Sequence, residues 1–255
     1  MTAYIGTLNE SSLHKRLKKI YTPEHAQNEV PVDSFICDIV CKDNSIIEIQ
    51  TSNLSSLRNK VASLLETRKV KIVFPIIENN YIRLYRERQE QADKTIHDKK
   101  LIDPALDRQN NFLLSAELHE CSYRKSPKHQ THFSFFREIT GFYFLLDHPN
   151  ISMELLFVDI ETIKIDDKKG KSPHKRPRII DKKLLAINKS ITIQSLKDVL
   201  DPILEVLPQI FSRSDIQKYT NKKDAAFTLW VLKKTHAAVF YKKQGRKNLY
   251  KKILQ

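Results

Sequence analysis

The chain has 255 residues and 29.9 kDa, with 44 lysines and arginines against 30 acids, a formal charge of +14. Hydrophobic residues make up 40% and aromatics 9%, enough to bury a core, which excludes a wholly disordered chain. No run of ~18 residues is apolar and free of charge, and the opening residues lack the apolar block of a signal peptide, so a soluble, cytoplasmic protein of prokaryotic type with no membrane association is expected. Cys37, Cys41 and Cys121 form no Cys-x-x-Cys pair, which excludes a disulfide framework or a zinc ribbon and leaves reduced core thiols. No Gly-x-Gly-x-x-Gly or Walker-type string supplies a glycine-rich nucleotide loop.

In chain order, residues 7–21 place Leu13, Leu17, Ile20 and Tyr21 at helical spacing, with His14, Lys15, Arg16, Lys18 and Lys19 opposite, which predicts an amphipathic helix. Residues 32–40 and 45–50 are short, apolar and β-favouring, and the turn chemistry between them predicts a hairpin. Leu57, Val61, Leu64 and Leu65 fall on one stripe of a second helix, capped by Ser55 or Ser56. Residues 70–76 read as a buried strand with Pro75 at its end, where no ladder donor is needed. Residues 81–132 are polar and weakly periodic and read as an insertion. Residues 134–146 predict a helix despite Gly141, and residues 151–165 a further strand, parallel to the previous one through a right-handed crossover. Together these give one α/β core over residues 1–165.

Residues 166–193 contain a Pro- and Gly-bearing basic run and read as a linker. A second domain follows over residues 194–255. Residues 195–207 are amphipathic, 212–220 form a short helix with Ser212 and Asp215 as a capping pair, and 222–235 a longer one. Residues 239–252 alternate around Gln244 and Gly245 as a basic hairpin. From residue 212 to the end, twelve lysines and arginines face only Asp215 and Asp224, a net of +10. Phosphate backbones reward such a concentration through counterion release. This order resembles a winged helix-turn-helix, which implies a partner in double-stranded DNA: Asn221, Lys222 and Lys223 lead the groove-reading helix, and Lys242, Lys243, Arg246 and Lys247 on the wing touch phosphate. The alternative is a small helical cap whose Phe227, Trp230, Val231 and Leu232 are core.

The hairpin over residues 32–50 carries Asp33, Asp38 and Glu48 among apolar neighbours. Acids are costly in buried strands, so they need water, a partner or a metal. Alternation puts Glu48 and Gln50 on one face, and folding the hairpin back brings Asp38 alongside Glu48. Converging oxygen donors suit Mg²⁺ or Mn²⁺. A slip of one residue in register would put Asp33 there instead of Asp38.

Asp38 followed by Glu48-Ile49-Gln50, in a helix–hairpin–helix–strand order, resembles the PD-(D/E)XK nuclease superfamily over about residues 5–165. The resemblance implies a restriction-endonuclease-like mixed sheet core flanked by helices, Asp38 and Glu48 as metal ligands with the Ile49 carbonyl as a third, and a Mg²⁺-dependent DNA endonuclease. Superfamily members often pair to cut both strands, so a homodimer is compatible. Gln50 stands where the superfamily carries lysine, and an amide has neither the charge nor the exchangeable proton. Lys60, one helix later, is a relocated cation or a solvated lysine. Glu10 is an acid that some members add to the site or the end of a Thr7–Glu10 capping box. The other function class is a DNA-binding or regulatory protein on the same scaffold that does not cleave, with Gln50 marking the loss.

Overall fold

The computed structural model describes residues 10–87, 118–166 and 177–253. The first helix, α1 (Ser12–Tyr21), starts at Ser11, whose side chain accepts a hydrogen bond from His14 N, and buries Leu13 and Leu17. Thr7 lies outside the described residues, and Glu10 precedes the cap, so the expected Thr7–Glu10 box is not what starts this helix.

A mixed sheet of seven strands lies under α1. β1 (Gln27–Val32), β2 (Phe35–Val40) and β3 (Ile46–Ile49) are antiparallel neighbours; β4 (Val70–Glu87) runs parallel to β3, and β6 (Ile151–Asp166) parallel to β4. β7 (Arg178–Ile193) closes that edge antiparallel to β6, and β5 (Leu118–Lys125) pairs with the far half of β4. Residues 32–40 therefore do not form one strand: the chain turns at Asp33, with φ of 53°, and the polar strand β1 precedes it. The hairpin of β2 with β3 and the parallel crossover are as expected.

Pro75 does not end β4. Val73 offers its carbonyl to Gln50 on the β3 side, and Pro75, two residues on, points its nitrogen the same way, beyond the end of β3. The next position on that edge, Ile77, exchanges hydrogen bonds with the Oε1 and backbone N of Gln130. The missing N–H thus falls in a gap between β3 and β5, so the strand continues to Glu87. The insertion expected over 81–132 is in part this continuation and β5; residues 88–117 lie outside the described residues.

The sheet is buried on both faces. On one, Leu13 and Leu17 of α1 meet Ile39, Ile47, Ile49, Val73, Leu156, Val158 and Ile160. On the other, the larger core gathers α2 (Arg58–Leu65), entered through a 3₁₀ turn at Leu54–Leu57, and α3 (His132–Ile139). Each fully buried Leu, Ile or Phe contributes about 1.5–3 kcal/mol relative to exposure, so these faces carry the fold. The helix expected over 134–146 breaks into α3 and a 3₁₀ turn at Tyr143–Leu145. Gly141 lies at the break, against the 54–57 turn.

Strand β7 corrects the linker expected over 166–193: residues 178–193 are the sheet's edge strand, while 167–176 lie outside the described residues. After it come α4 (Leu196–Val206) with its Ser195–Asp198 capping box, β8 (Ile210–Ser212), α5 (Arg213–Ile216), α6 (Lys222–Lys234), β9 (Ala238–Gln244) and β10 (Lys247–Lys252). The last three strands form a separate antiparallel sheet in the order β8-β10-β9, with Gly245 at φ 57° in the hairpin turn. This unit is not tethered at a distance. Its Phe211, Ile216, Ala225, Val231 and Leu232 belong to the same hydrophobic cluster as Phe135, Phe136 and Ile139. Ser134 Oγ donates to Asp224 Oδ2 at 2.8 Å, and the rings of Phe133 and Tyr219 stack with centroids 5.8 Å apart.

A Cβ on Gly141 would lie 2.5 Å from Ser55 Oγ and 3.1 Å from Ser55 Cβ. Gly141→Ala is expected to destabilise the protein by about 1–3 kcal/mol through this overpacking, seen as a lower urea midpoint at unchanged slope.

Candidate functional site

The candidate site forms where β1, β2 and β3 meet the start of α1. The register of β2 with β3 pairs Ile39 with Ile47 and Val40 with Ile46, so Asp38 and Glu48 are the next pair along. They interlock through the backbone: Asp38 N donates to Glu48 Oε1 at 3.2 Å, and Ile49 N donates to Asp38 Oδ2 at 2.8 Å.

The two carboxylates then find different partners. Lys60 of α2 donates to Glu48 Oε2 at 2.5 Å and to the Ile36 carbonyl at 2.6 Å. Glu48 is only 2% exposed, so this cation is what compensates its charge. Burial pushes the Glu48 carboxyl above its usual value, with Asp38's charge adding and Lys60 opposing. Neighbouring Cys37 is pushed up to about 11 by burial and by the charge of Glu48.

Asp38, with 20% of its side chain exposed, meets α1. His14 Nε2 lies 3.6 Å from Asp38 Oδ1 and 3.4 Å from Glu10 Oε1. Lys18 Nζ donates to Glu10 Oε1 at 2.8 Å and to Glu29 Oε1 at 3.1 Å, and stands 3.8 Å from Asp38 Oδ1. Burial alone would raise Asp38, but His14, the Ile49 N–H and Lys18 outweigh it and hold its carboxyl below the usual range. Burial likewise pulls the Lys18 ammonium down, and its bonds to Glu10 and Glu29 with the charge of Asp38 reverse this into a net upward shift. Glu29, with φ of 56°, is held left-handed in β1 opposite Asp38, a conformation costing roughly 1–2 kcal/mol for a residue with a Cβ.

Glu10, His14 and Asp38 each present a donor atom within 4.8 Å of the others. A cleft of 620 Å³ opens there, with Glu10, His14 and Thr51 on one side and Arg178, Asp181 and Lys182 of β7 on the other. Asp181 fixes the mouth by accepting from Ser12 N at 2.8 Å and from Ser12 Oγ at 2.5 Å.

The remaining expected residues divide. Asp33 is exposed in the β1–β2 turn, away from the pair, which settles the register in favour of Asp38. Gln50 turns away into the following loop, donating to the carbonyls of Ser52 and Asn53 and to Ser56 Oγ. Ile49 spends its N–H on Asp38 and its side chain in the α1-side core. Glu48 is engaged by Lys60 and Asp38 N, so the group around Asp38 is Glu10 and His14 in its place. The sequence reading missed His14, although Glu10 and His14 stand four residues apart, on one face of a helix start. Asn221 is the N-cap of α6: its Oδ1 accepts from Lys223 N and Asp224 N, so it serves the helix. Lys222, Lys223, Lys242, Lys243, Arg246 and Lys247 are all exposed. Of the expected core thiols, Cys121 is exposed and Cys37 buried.

The fold and site define a mixed α/β chain with a polar cleft beside a cluster of carboxylates. The family described as "Domain of unknown function (DUF8091)" matches residues 11–101 and 94–194, and the chain belongs to it. An uncharacterized protein of Treponema pallidum (strain Nichols) is 33% identical over 248 residues, covering 97% of this chain and 87% of that protein. No solved structure matches. No described helix is long and apolar enough to cross a membrane.

Lys60→Met would leave Glu48 buried without its cation, a loss of about 3–5 kcal/mol. Removing the cation raises the Glu48 folded pKa further above its unfolded value, so the variant loses stability as pH rises through that interval. Urea melts are expected to show a larger deficit at pH 8 than at pH 5, and Glu48→Gln in the Lys60→Met background should recover much of it.

Proposed function

We propose that the protein is a divalent-metal-dependent DNA endonuclease with a winged-helix DNA-binding unit at its C-terminal end. The observation that carries this reading is the pairing of Asp38 with Glu48 on adjacent strands, within an order of helix, three antiparallel strands, helix and parallel strand. That order is the one expected of the PD-(D/E)XK superfamily, and Lys60 on Glu48 fits the relocated cation. The order helix, strand, two helices and hairpin, with a β8-β10-β9 sheet, supports the winged-helix reading of residues 194–255.

The donors fit a divalent ion. Glu10, Glu29, Asp38 and Glu48 bring four carboxylates against the ammonium groups of Lys18 and Lys60, an excess of acid that a dication would offset. Glu10, His14 and Asp38 would hold it, and the nitrogen donor favours Mn²⁺ over Mg²⁺. When bound, such an ion polarises a phosphate oxygen and makes bound water more acidic. The protein's own part is positional. Asp38 is oriented by Ile49 N–H, Glu48 fixes the backbone of Asp38, and Lys60 holds Glu48. Lys18 bridges Glu10 and Glu29 beside Asp38 and so holds Glu10 in place. A second reading, a DNA-binding protein that does not cleave, is favoured by Gln50 turning away and by two ammonium groups already seated on the carboxylates.

Purified protein with Mn²⁺ is expected to nick supercoiled plasmid, and Asp38→Asn and Glu48→Gln to lower the rate about 100-fold or more. Mn²⁺ should also raise the melting temperature of the wild type but not of Asp38→Asn. Nicking that persists in both variants would remove the hydrolytic assignment; absence of nicking with DNA binding retained would leave the second reading.

For the wing, Arg246→Ala with Lys247→Ala should weaken binding to unrelated duplexes alike and reduce the salt slope by about two. Unchanged affinity and slope would take the hairpin out of the interface.

A further inference from the structure

The far half of the large sheet carries a cationic pattern of its own. The register sets Arg124 of β5, Ile82 of β4, Thr162 of β6 and Lys182 of β7 in one row across four strands. Alternation along β6 puts Lys164 on the same face as Thr162 and Ile160, and Ile160 packs in the α1-side core. This is therefore the face on which α1 and the carboxylate cleft lie. Lys128 follows β5 and stands close enough to Lys164 for their charges to interact.

On the α1 side Arg86 is paired with Asp166 at 3.2 Å. On the opposite face Arg83 is paired with Glu120 and Glu161. On the α1 side, none of Arg124, Lys128, Lys164 and Lys182 forms an ion pair with a carboxylate among the described residues. Burial, then the charges of Arg124 and Lys128, hold the Lys164 ammonium below its usual range. Three strand spacings of ~4.8 Å separate the ends of the row, about 14 Å, or roughly four nucleotides of one strand by helical rise. Lys182 also lines the carboxylate cleft, so the row begins where the cleft opens.

We infer that Arg124, Lys128, Lys164 and Lys182 form a phosphate-binding row that holds duplex DNA against the α1 face of the sheet and leads one strand into the cleft. The choice of DNA as occupant rests on the function proposed above. The row is distinct from the wing, and it gives the cleft its own hold on the substrate.

The test is equilibrium binding of a fluorescent duplex to the full chain in chelator, read by anisotropy across a salt series. Arg124→Ala with Lys164→Ala is expected to weaken binding at least about 10-fold at low salt and to make the log–log salt slope shallower by about two. Lys128→Ala with Lys182→Ala should act in the same direction and carries the test should the first variant melt early. Wild-type affinity and slope in a folded variant, or no binding by the wild type, would overturn the row. Plasmid nicking measured separately keeps the two ideas apart. Row variants that lose binding while the wild type cuts nothing would uphold the row and sink hydrolysis. Nicking by the wild type with unaltered binding in the row variants would do the reverse.

Discussion

Four carboxylates gathered at one end of a sheet repel one another and lose hydration, so the structure there depends on the cations that reach them. Lys60 comes from α2 on one side, and Lys18 from α1 on the other. Lys60 ties α2 to β3 and β2, and Lys18 ties α1 to β1 and β2, by charge as well as by each helix's apolar stripe. The two ammonium groups do not balance the four acids, and the residual negative charge collects around Glu10, His14 and Asp38, where the cleft admits solvent. The left-handed Glu29 fits this account: the strain of its backbone directs a carboxylate onto Lys18.

The C-terminal unit is bound to the sheet by a continuous core, and this shapes how any large polyanion would be met. The half of α6 that carries Asp224, Thr228, Val231 and Leu232 is buried, leaving Lys222, Lys223, Lys233 and Lys234 with Trp230 on the open half. The matched family region ends at residue 194, where β7 closes the large sheet, just before α4 begins. The sheet with its cleft and the unit behind it are thus separable in sequence but joined in packing.

How far the sequence could be read followed from how locally each element is determined. The β2–β3 hairpin was legible because turn residues separate two apolar runs, and α6 with the β9–β10 hairpin because cap, periodicity and Gly245 agree. β7 was not. It is an edge strand that is largely solvated beyond residue 184, so its lysines and missing alternation resemble a linker. β1 was hidden for the same reason. Pro75 misled because a proline usually ends a strand, whereas here a gap between two partners on one edge removes the need for its donor. Gly141 read as tolerated within a helix, yet it marks a break forced by close approach to Ser55.

At the site, the sequence determined which acids lie on adjacent strands and that a lysine follows on the next helix, because a turn of fixed length and the alternation of side chains are local properties. Only the tertiary structure decided that Lys60 takes Glu48, that Asp38 faces α1, and that His14 and Lys18 complete its surroundings. Those choices depend on which helix packs over which face and on where the ladder between β2 and β3 ends. No local pattern encodes them, since they result from apolar burial far along the chain bringing charges together that the backbone alone leaves apart.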